Sequence, residues 1–283
     1  MTEPPMLETT VATFYKFVAL PDCAELRSPM LSVCQTVQLK GTILLAPEGI
    51  NGTVAGDKAA IASLRAYLRQ NSRFSDLDFK HSIASKPPFQ RMKVKLKREI
   101  VTFGQSLANP TQQVGTYVEP EDWNQVIAAP DVLVIDTRNR YEVAIGSFEQ
   151  AQDPGTESFR QFPDYVQDHL NPQRHKKVAM NCTCGIRCEK ASAYLLDQGF
   201  EQVYHLKGGI LKYLETVPAS ESRWRGECFV FDERVAVRHG LAPGTYEICF
   251  ACGYPVSSAD RSSKRYQPGA SCPYCWHRNS PHP

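Results

Sequence analysis

Apolar and polar positions in the first hundred residues alternate between the two-residue period of strands and the wider period of amphipathic helices. The pattern predicts helices at 22–37 and 57–71, and strands at 11–18, 41–46, 53–55, 79–85 and 92–102. Pro29 should kink or split the first helix, and the glycines at 49 and 52 indicate a turn. The order βαββαβ is typical of a ferredoxin-like fold of the acylphosphatase type.

A second pattern of short apolar strands and helices begins near Trp123. Strands that alternate with helices imply a parallel sheet, whose reactive groups lie beyond the carboxyl ends of the strands. The predicted strands are 132–136, 178–181 and 203–206, and the predicted helices are 188–198 and 209–217. We therefore predict a multidomain protein of the α/β and α+β classes: a ferredoxin-like domain at 1–104, a linker at 105–127, a parallel α/β domain at 128–222 and a small four-cysteine ribbon at 223–283.

The six residues after the predicted strand at 178–181 form the pattern C-x-x-G-x-R, which runs from Cys182 to Arg187. Such a loop can wrap backbone N–H groups around a thiolate, a persulfide or an oxyanion, and the following helix adds the positive end of its dipole. Gly185 permits the backbone angles of the loop, and Arg187 adds a fixed charge. Cys182 is therefore the candidate catalytic residue. The candidate active loop comprises Thr183, Cys184, Gly185, Ile186 and Arg187. The alternative is an ordinary strand-to-helix turn with a buried cysteine.

Asp136 and Arg138 close the preceding predicted strand. An acidic residue at the end of a buried strand can hold a neighbouring loop in place, so both residues are candidates for a supporting role. A helix cap with a surface salt bridge explains the same residues about equally well.

Lysines alternate with apolar residues in the predicted strand at 92–102. In a strand this alternation directs the lysines to one face and the apolar set to the core. The candidate stripe consists of Arg91, Lys93, Lys95 and Lys97. It can follow an RNA backbone, although a solvated outer face explains it as simply.

Four of the ten cysteines form two C-x-x-C pairs near the C-terminus, with nineteen residues between the pairs. This spacing is typical of a zinc ribbon with the ligands Cys249, Cys252, Cys272 and Cys275. Four thiolates complete a closed tetrahedral site, so the zinc would be structural. Free or disulfide-bonded cysteines are the alternative.

Charge and hydropathy narrow the class of protein. The formal net charge is only +2, so any nucleic-acid contact depends on local patches. The chain has no run of eighteen apolar residues, and its first residues lack the features of a signal peptide. We therefore expect a cytoplasmic protein with no membrane partner. Disulfides are rare in that compartment, and we expect Cys23, Cys34 and Cys228 to be buried small side chains.

Residues 134–139, the loop at 182–187 and the turn at 207–209 together resemble the rhodanese homology domain. The resemblance covers about residues 128–222. It places Cys182 at the position of the cysteine that forms a persulfide in that domain.

Further blocks resemble the bacterial tRNA uridine hydroxylase family and lie in all three segments: residues 41–52, 88–97, 158–160 and 229–234. The resemblance implies an acylphosphatase-like domain joined to a rhodanese domain. It also implies oxygen-dependent conversion of the wobble uridine of certain tRNAs to 5-hydroxyuridine, with Cys182 as the active residue. The implied partners are the tRNA anticodon loop and an unidentified electron or sulfur donor, with molecular oxygen as co-substrate. We find no flavin, haem or iron signature, so no organic cofactor is identified, and we expect no DNA partner.

One loop position departs from the family pattern Cys-Thr-Gly-Gly-Ile-Arg-Cys, because Cys184 replaces the first glycine. A thiol there can resolve a persulfide into a disulfide or merely fill space, and it would be strained if the position required a positive φ. Two other functions stay open. One is a plain sulfurtransferase that uses the same loop, and the other is a non-catalytic scaffold that uses the ribbon and the N-terminal domain.

Overall fold

The N-terminal domain is a five-stranded sheet against which two helices pack, in a computed structural model that describes residues 9–84, 86–105 and 108–278. The predicted outer domains include residues 1–8 and 279–283, which lie outside the described residues. The elements are β1 (Thr9–Phe17), α1 (Cys23–Thr36), β2 (Lys40–Ala46), β3 (Gly49–Gly56), α2 (Lys58–Arg69), β4 (Lys80–Ala84) and β5 (Met92–Leu96).

The strand order β4-β1-β3-β2-β5 confirms the predicted ferredoxin-like fold. The four strands from β4 to β2 pair antiparallel, and β5 is an added edge strand that pairs parallel with β2. Alternation along β1 divides the two faces of the sheet. Phe14 lies in the core beneath the helices, whereas its neighbours Thr13 and Tyr15 are only half-buried.

Pro29 does not split the first helix, which is one of the two outcomes that the sequence predicts. α1 (Cys23–Thr36) continues through Pro29 without a break. Pro29 and Glu25 are both exposed. The Glu25 carbonyl, which loses its N–H partner to the proline ring, can therefore be hydrated, and this lowers the cost of the missing bond.

The turn predicted at 49–52 is wrong, because the chain reverses at Pro47 and Glu48 and both glycines lie inside β3. These positions are glycines because the strands approach closely. A Cβ atom on Gly49 would lie 2.0 Å from the carbonyl oxygen of Lys16, and one on Gly52 would lie 2.8 Å from the ring of Phe14.

The second domain has a four-stranded parallel sheet with the order β6-β10-β9-β7. Its helices cover the sheet as the predicted parallel α/β class requires. The elements are β6 (Thr116–Val118), α3 (Pro120–Ala128), β7 (Val132–Asp136), α4 (Arg140–Val143), β8 (Gly146–Phe148), α5 (Phe162–His169), β9 (Lys177–Asn181), α6 (Ile186–Asp197), β10 (Gln202–Leu206) and α7 (Gly209–Thr216).

The segment predicted as a linker at 105–127 contains structure that belongs to this second domain. β6 pairs with β10, and Trp123 of α3 is fully buried in the second core. The sequence signal was weak because β6 is short and two of its three residues are exposed. The second domain therefore begins earlier along the chain than we predict from the sequence.

The C-terminal segment consists of short strand pairs rather than a continuous sheet. β11 pairs with β8 of the second domain, so the segment begins as part of that domain's surface. The remaining pairs are β12 with β13 and β14 with β15. The elements are β11 (Trp224–Gly226), β12 (Cys228–Phe229), β13 (Ala236–Val237), β14 (Glu247–Ile248), β15 (Pro255–Val256) and α8 (Ser258–Arg261).

The N-terminal sheet packs over the C-terminal end of the parallel sheet. Lys80 of β4 donates hydrogen bonds to the carbonyl oxygens of Cys184 and Gly208, at 2.6 and 2.9 Å. Lys190 of α6 is buried between Glu48 and Glu99, at 2.9 and 2.6 Å. These contacts bring the face of the first sheet opposite its helices against the loop at 182–185.

Within the described residues, no helix is long and apolar enough to cross a membrane.

Candidate active site

The active loop lies between the end of β9 and the start of α6, where the sequence predicts it. Gly185 precedes α6 with φ 104°, a conformation that favours glycine. The first turn of α7 fixes the loop from behind, because the N–H groups of Ile210 and Leu211 donate to the carbonyl oxygens of Cys182 and Thr183 at 2.9 and 3.0 Å. The loop is therefore held by backbone contacts on two sides.

Cys182 is fully buried at the floor of this loop. Its Sγ accepts a hydrogen bond from the Gly185 N–H at 3.2 Å. Burial acts to raise the pKa of Cys182, but the Cys188 thiol, the Arg187 charge and the loop N–H groups outweigh it and lower the pKa to about 5. The thiolate is therefore the stable form at neutral pH, as the loop pattern predicts.

Arg187 supplies the fixed charge of the site, and Glu142 holds it. The guanidinium donates to both oxygens of the Glu142 carboxylate at 2.6 and 2.8 Å, and to the hydroxyl of Thr183 at 3.0 Å. Both charged groups are buried. Burial opposes the charged form of Arg187, but Glu142 raises the pKa of Arg187 well above its usual value. Sequence reasoning assigned no role to Glu142, which also completes a capping box with Asn139.

Asp136 and Arg138 form a fully buried pair next to this site, with Nη2 of Arg138 2.7 Å from the Asp136 carboxylate. Arg138 also donates to the carbonyl oxygens of Glu142 and Gly146, so the pair sets the position of α4. Burial acts to raise the pKa of Asp136, but Arg138 lowers it overall. Both side chains are fully buried, so the alternative of a surface salt bridge is wrong.

A cavity of about 700 Å³ opens between the active loop, the N-terminal sheet and the C-terminal segment. The loop contributes Thr183, Cys184, Ile186 and Arg187 to its wall, but Cys182 is not among the lining residues. Cys184 is therefore the thiol that borders the cavity. Burial raises the pKa of Cys184, and the nearby Cys182 adds to the effect. Cys184 does not have a positive φ. The replacement of the family's glycine by cysteine therefore does not strain the backbone at this position.

Tyr15 and Glu189 close the site from the side of the N-terminal domain. The Tyr15 hydroxyl donates to the Glu189 carboxylate at 2.8 Å, and a Cβ atom on Gly185 would lie 2.6 Å from that hydroxyl. Burial raises the pKa of Glu189. The sequence did not indicate this contact, because the two residues are 174 positions apart.

The predicted lysine stripe divides between the cavity and the outer surface. Lys97 lines the cavity, whereas Arg91 and Lys95 are exposed at the sheet edge and Lys93 is half-buried. The apolar side of the prediction holds for Val94, which is buried, but is wrong for Leu96, which is 45% exposed. Leu96 is the last residue of β5, the edge strand of the sheet.

The four C-terminal cysteines converge in one cluster, as their spacing predicts. The sulfur atoms of Cys249 and Cys275 are 3.9 Å apart, those of Cys252 and Cys272 are 3.6 Å apart, and those of Cys272 and Cys275 are 3.7 Å apart. A tetrahedral ion with sulfur ligands at about 2.3 Å requires sulfur–sulfur separations of about 3.8 Å. The cluster therefore fits a tetrahedral metal ion.

Comparison with known proteins assigns the chain to a family. A model of the UPF0176 acylphosphatase like domain matches residues 9–100, and a rhodanese-like domain model matches residues 119–216. A tRNA uridine(34) hydroxylase from Picosynechococcus sp. is 56% identical over 270 residues, which cover 95% of this chain and 91% of the relative. The chain belongs to the tRNA uridine(34) hydroxylase family.

Solved structures resemble the separate domains of this family member. An acylphosphatase from Coxiella burnetii is 13% identical, with a TM-score of 0.26, and the match covers 34% of this chain and 100% of the acylphosphatase. A rhodanese-like domain from Anabaena sp. is 19% identical, with a TM-score of 0.33, and the match covers 39% of this chain and 78% of the Anabaena chain. Both TM-scores are low, so the family assignment rests on the sequence matches.

Titration of the thiolate tests the electrostatics of the loop. The ultraviolet absorbance of the wild-type protein minus that of Cys182→Ser should show a thiolate at neutral pH that disappears with a midpoint near pH 5 as the pH falls. The lowered pKa sets this direction, because protonation occurs only when the pH falls through the folded value. Cys184→Ser should keep the step, and a midpoint near the ordinary cysteine value of about 8.5 would contradict the assignment.

Proposed function

We propose that this protein is an enzyme that hydroxylates uridine 34 of tRNA to 5-hydroxyuridine. The observation that carries the proposal is the position of the Cys182 thiolate next to the cavity between the active loop and the N-terminal sheet. The chain is also 56% identical to a protein named tRNA uridine(34) hydroxylase. The cavity volume of about 700 Å³ lies within the range of about 300–1,000 Å³ that is usual for small-ligand sites.

Cys182 acts as a persulfide in this proposal. The thiol is buried and does not line the cavity, but a terminal sulfur added to it extends the reactive atom by about 2 Å. The Gly185 N–H and the Arg187 charge favour the anionic form of that sulfur, as they favour the thiolate. The loop residues from 183 to 187 thus bind and orient the reactive group.

The overall reaction takes one oxygen atom from molecular oxygen into the uracil ring and releases the other as water. Two electrons and two protons balance that step, and we assign them to a donor of the thiol or persulfide class. No organic cofactor is part of this proposal. Asp136 and Arg138 support the loop by fixing α4, and they contact neither tRNA nor oxygen.

The tRNA partner is proposed to present its anticodon loop, because an unpaired loop lets one base leave the stack and enter a cavity. Four basic residues lie in or next to the edge strand β5, and Lys97 among them lines the cavity: Arg91, Lys93, Lys95 and Lys97. They would contact phosphates of the RNA on either side of the target nucleotide.

A complementation experiment tests the hydroxylase function. Deletion of the gene should remove 5-hydroxyuridine and its derivatives from bulk tRNA in a strain with no second pathway, and the wild-type gene should restore them. Cys182→Ser should not restore them, because it lacks the thiolate. Cys23→Ser, which alters a buried cysteine in α1, should restore them. Mass spectrometry of tRNA nucleosides measures the outcome.

Full restoration by Cys182→Ser would contradict the proposed role of this residue. Normal 5-hydroxyuridine in the deletion strain, together with rapid transfer of sulfur from thiosulfate to cyanide by the purified protein, would favour the sulfurtransferase alternative. The second wall of the cavity argues against that alternative, because sulfur transfer does not require the N-terminal sheet.

Salt dependence tests the basic edge strand. The double variant Lys95→Ala/Lys97→Ala should weaken tRNA binding and lower the slope of log Kd against log salt by about 1–2, because fewer counterions are released from the RNA when a phosphate contact is lost. The control Lys58→Ala/Lys176→Ala removes the same charge from two exposed lysines elsewhere. Equal slopes for the two double variants would contradict a specific role for the strand.

The four-cysteine cluster is proposed to hold a structural zinc ion. Four thiolates leave no open position for a substrate, so the ion would stabilise the C-terminal segment rather than take part in chemistry. Purified protein should contain about one zinc per chain, and Cys252→Ser should lose most of it and melt at a lower temperature. Cys23→Ser is the matched control, and wild-type protein without zinc would contradict the proposal.

A further inference from the structure

Phe231 is a large apolar side chain that borders the cavity and yet is 61% exposed. Its ring lies 6.0 Å from the guanidinium carbon of Arg187, so it stands beside the active loop. It also packs edge-on against Phe229, whose ring centroid is 5.2 Å away and which is buried. An aromatic ring that is largely exposed beside the active loop is suited to stacking with a flat ligand.

The segment that carries Phe231 is fixed in place. Arg234 forms a nearly buried ion pair with Asp232 at 2.6 Å and donates to the hydroxyl of Ser82 in β4 at 2.8 Å. The Val230 N–H donates to the carbonyl oxygen of Val235 at 2.9 Å, which closes the turn between β12 and β13. The exposed ring is therefore presented from a rigid turn that joins the N-terminal sheet to the rhodanese loop.

The charges around the ring suit an anionic, planar ligand. Lys97 and Arg160 line the cavity, are exposed and have no ion-pair partner in the described part of the chain. Each acidic residue of the lining has a cationic partner: Asp232 pairs with Arg234, Glu215 pairs with Lys212, and Glu99 pairs with Lys190, which Glu48 shares. Lys97 and Arg160 thus give the lining exposed positive charge that no acidic residue of the described part of the chain pairs with.

The wall contributed by the N-terminal sheet is polar. It carries the hydroxyls of Thr13, Thr53 and Ser82. These groups can exchange hydrogen bonds with the carbonyl and N–H groups at the edge of a pyrimidine base, while the ring of Phe231 covers a face of that base.

We propose that Phe231 is the stacking platform for the uracil base of the target nucleotide, with the flanking phosphates at Lys97 and Arg160. The inference rests on the proposed function and deepens it, since it names the residue that holds the base. Stacking suits an unpaired nucleotide, because its two faces are free once it leaves the neighbouring bases. The residue binds substrate and takes no part in proton or electron transfer.

A binding experiment in the Cys182→Ser background separates stacking from turnover. The ligands are an anticodon stem-loop RNA with uridine at position 34 and the same RNA with an abasic site there. Phe231→Ala should weaken binding of the uridine RNA by about 10-fold, within the range of about 5- to 150-fold that one stacked base supports. Phe231→Trp should keep the affinity.

The abasic RNA and a second phenylalanine supply the controls. Phe231→Ala should change binding of the abasic RNA little, because the base that the ring stacks on is already missing. The loss of affinity from removing the ring and the loss from removing the base should therefore not be additive. Phe250→Ala should leave both affinities unchanged, since Phe250 is 85% exposed and does not line the cavity. The fluorescence of the Phe231→Trp protein should be quenched by the uridine RNA and not by the abasic RNA.

If Phe231→Ala weakened binding of both RNAs equally, or of neither, the stacking role would be overturned while the proposed function would stand. Failure of the Cys182→Ser protein to bind the stem-loop RNA at all would overturn the proposed function and this inference with it.

Discussion

The buried ion pair between Arg187 and Glu142 is the interaction on which the site depends. It joins the active loop and α6 to α4, and it places a permanent positive charge beside Cys182. Removal of one partner from such a pair typically costs about 3–5 kcal/mol, because the other charge stays buried without compensation. The loop's electrostatics and the local stability of the second domain therefore rest on the same contact.

The N-terminal domain completes the site without contributing the reactive atom. Lys80 binds two carbonyl oxygens of the loop region, and Tyr15 lies against Gly185 and Glu189. The outer face of the sheet then becomes a wall of the cavity. The sheet therefore lies opposite the active loop across the cavity, while Cys182 stays fully buried behind the lining.

Local chemistry was predictable where a short segment fixes its own geometry. The positions of β7 and the active loop follow from apolar runs, a glycine and a strand-to-helix junction, all within a few residues. Prediction was wrong where a distant neighbour decides. The sequence predicts a turn at 49–52, but the glycines there lie inside β3 and permit close contacts with Phe14 and Lys16 across the sheet. The segment at 116–128 joins the second domain because β10 offers a free edge.

The sequence by itself determined the position of the cysteine with the lowered pKa, the two domain folds and the four-cysteine cluster, because loop pattern, periodicity and spacing are properties of short stretches. Tertiary structure alone decided that Cys182 is sealed while Cys184 borders the cavity. It also decided that Glu142 is the partner of Arg187 and that Phe231 stands at the mouth. The physical reason is that burial and charge pairing arise between segments far apart in the chain, and no local pattern records which segments will meet.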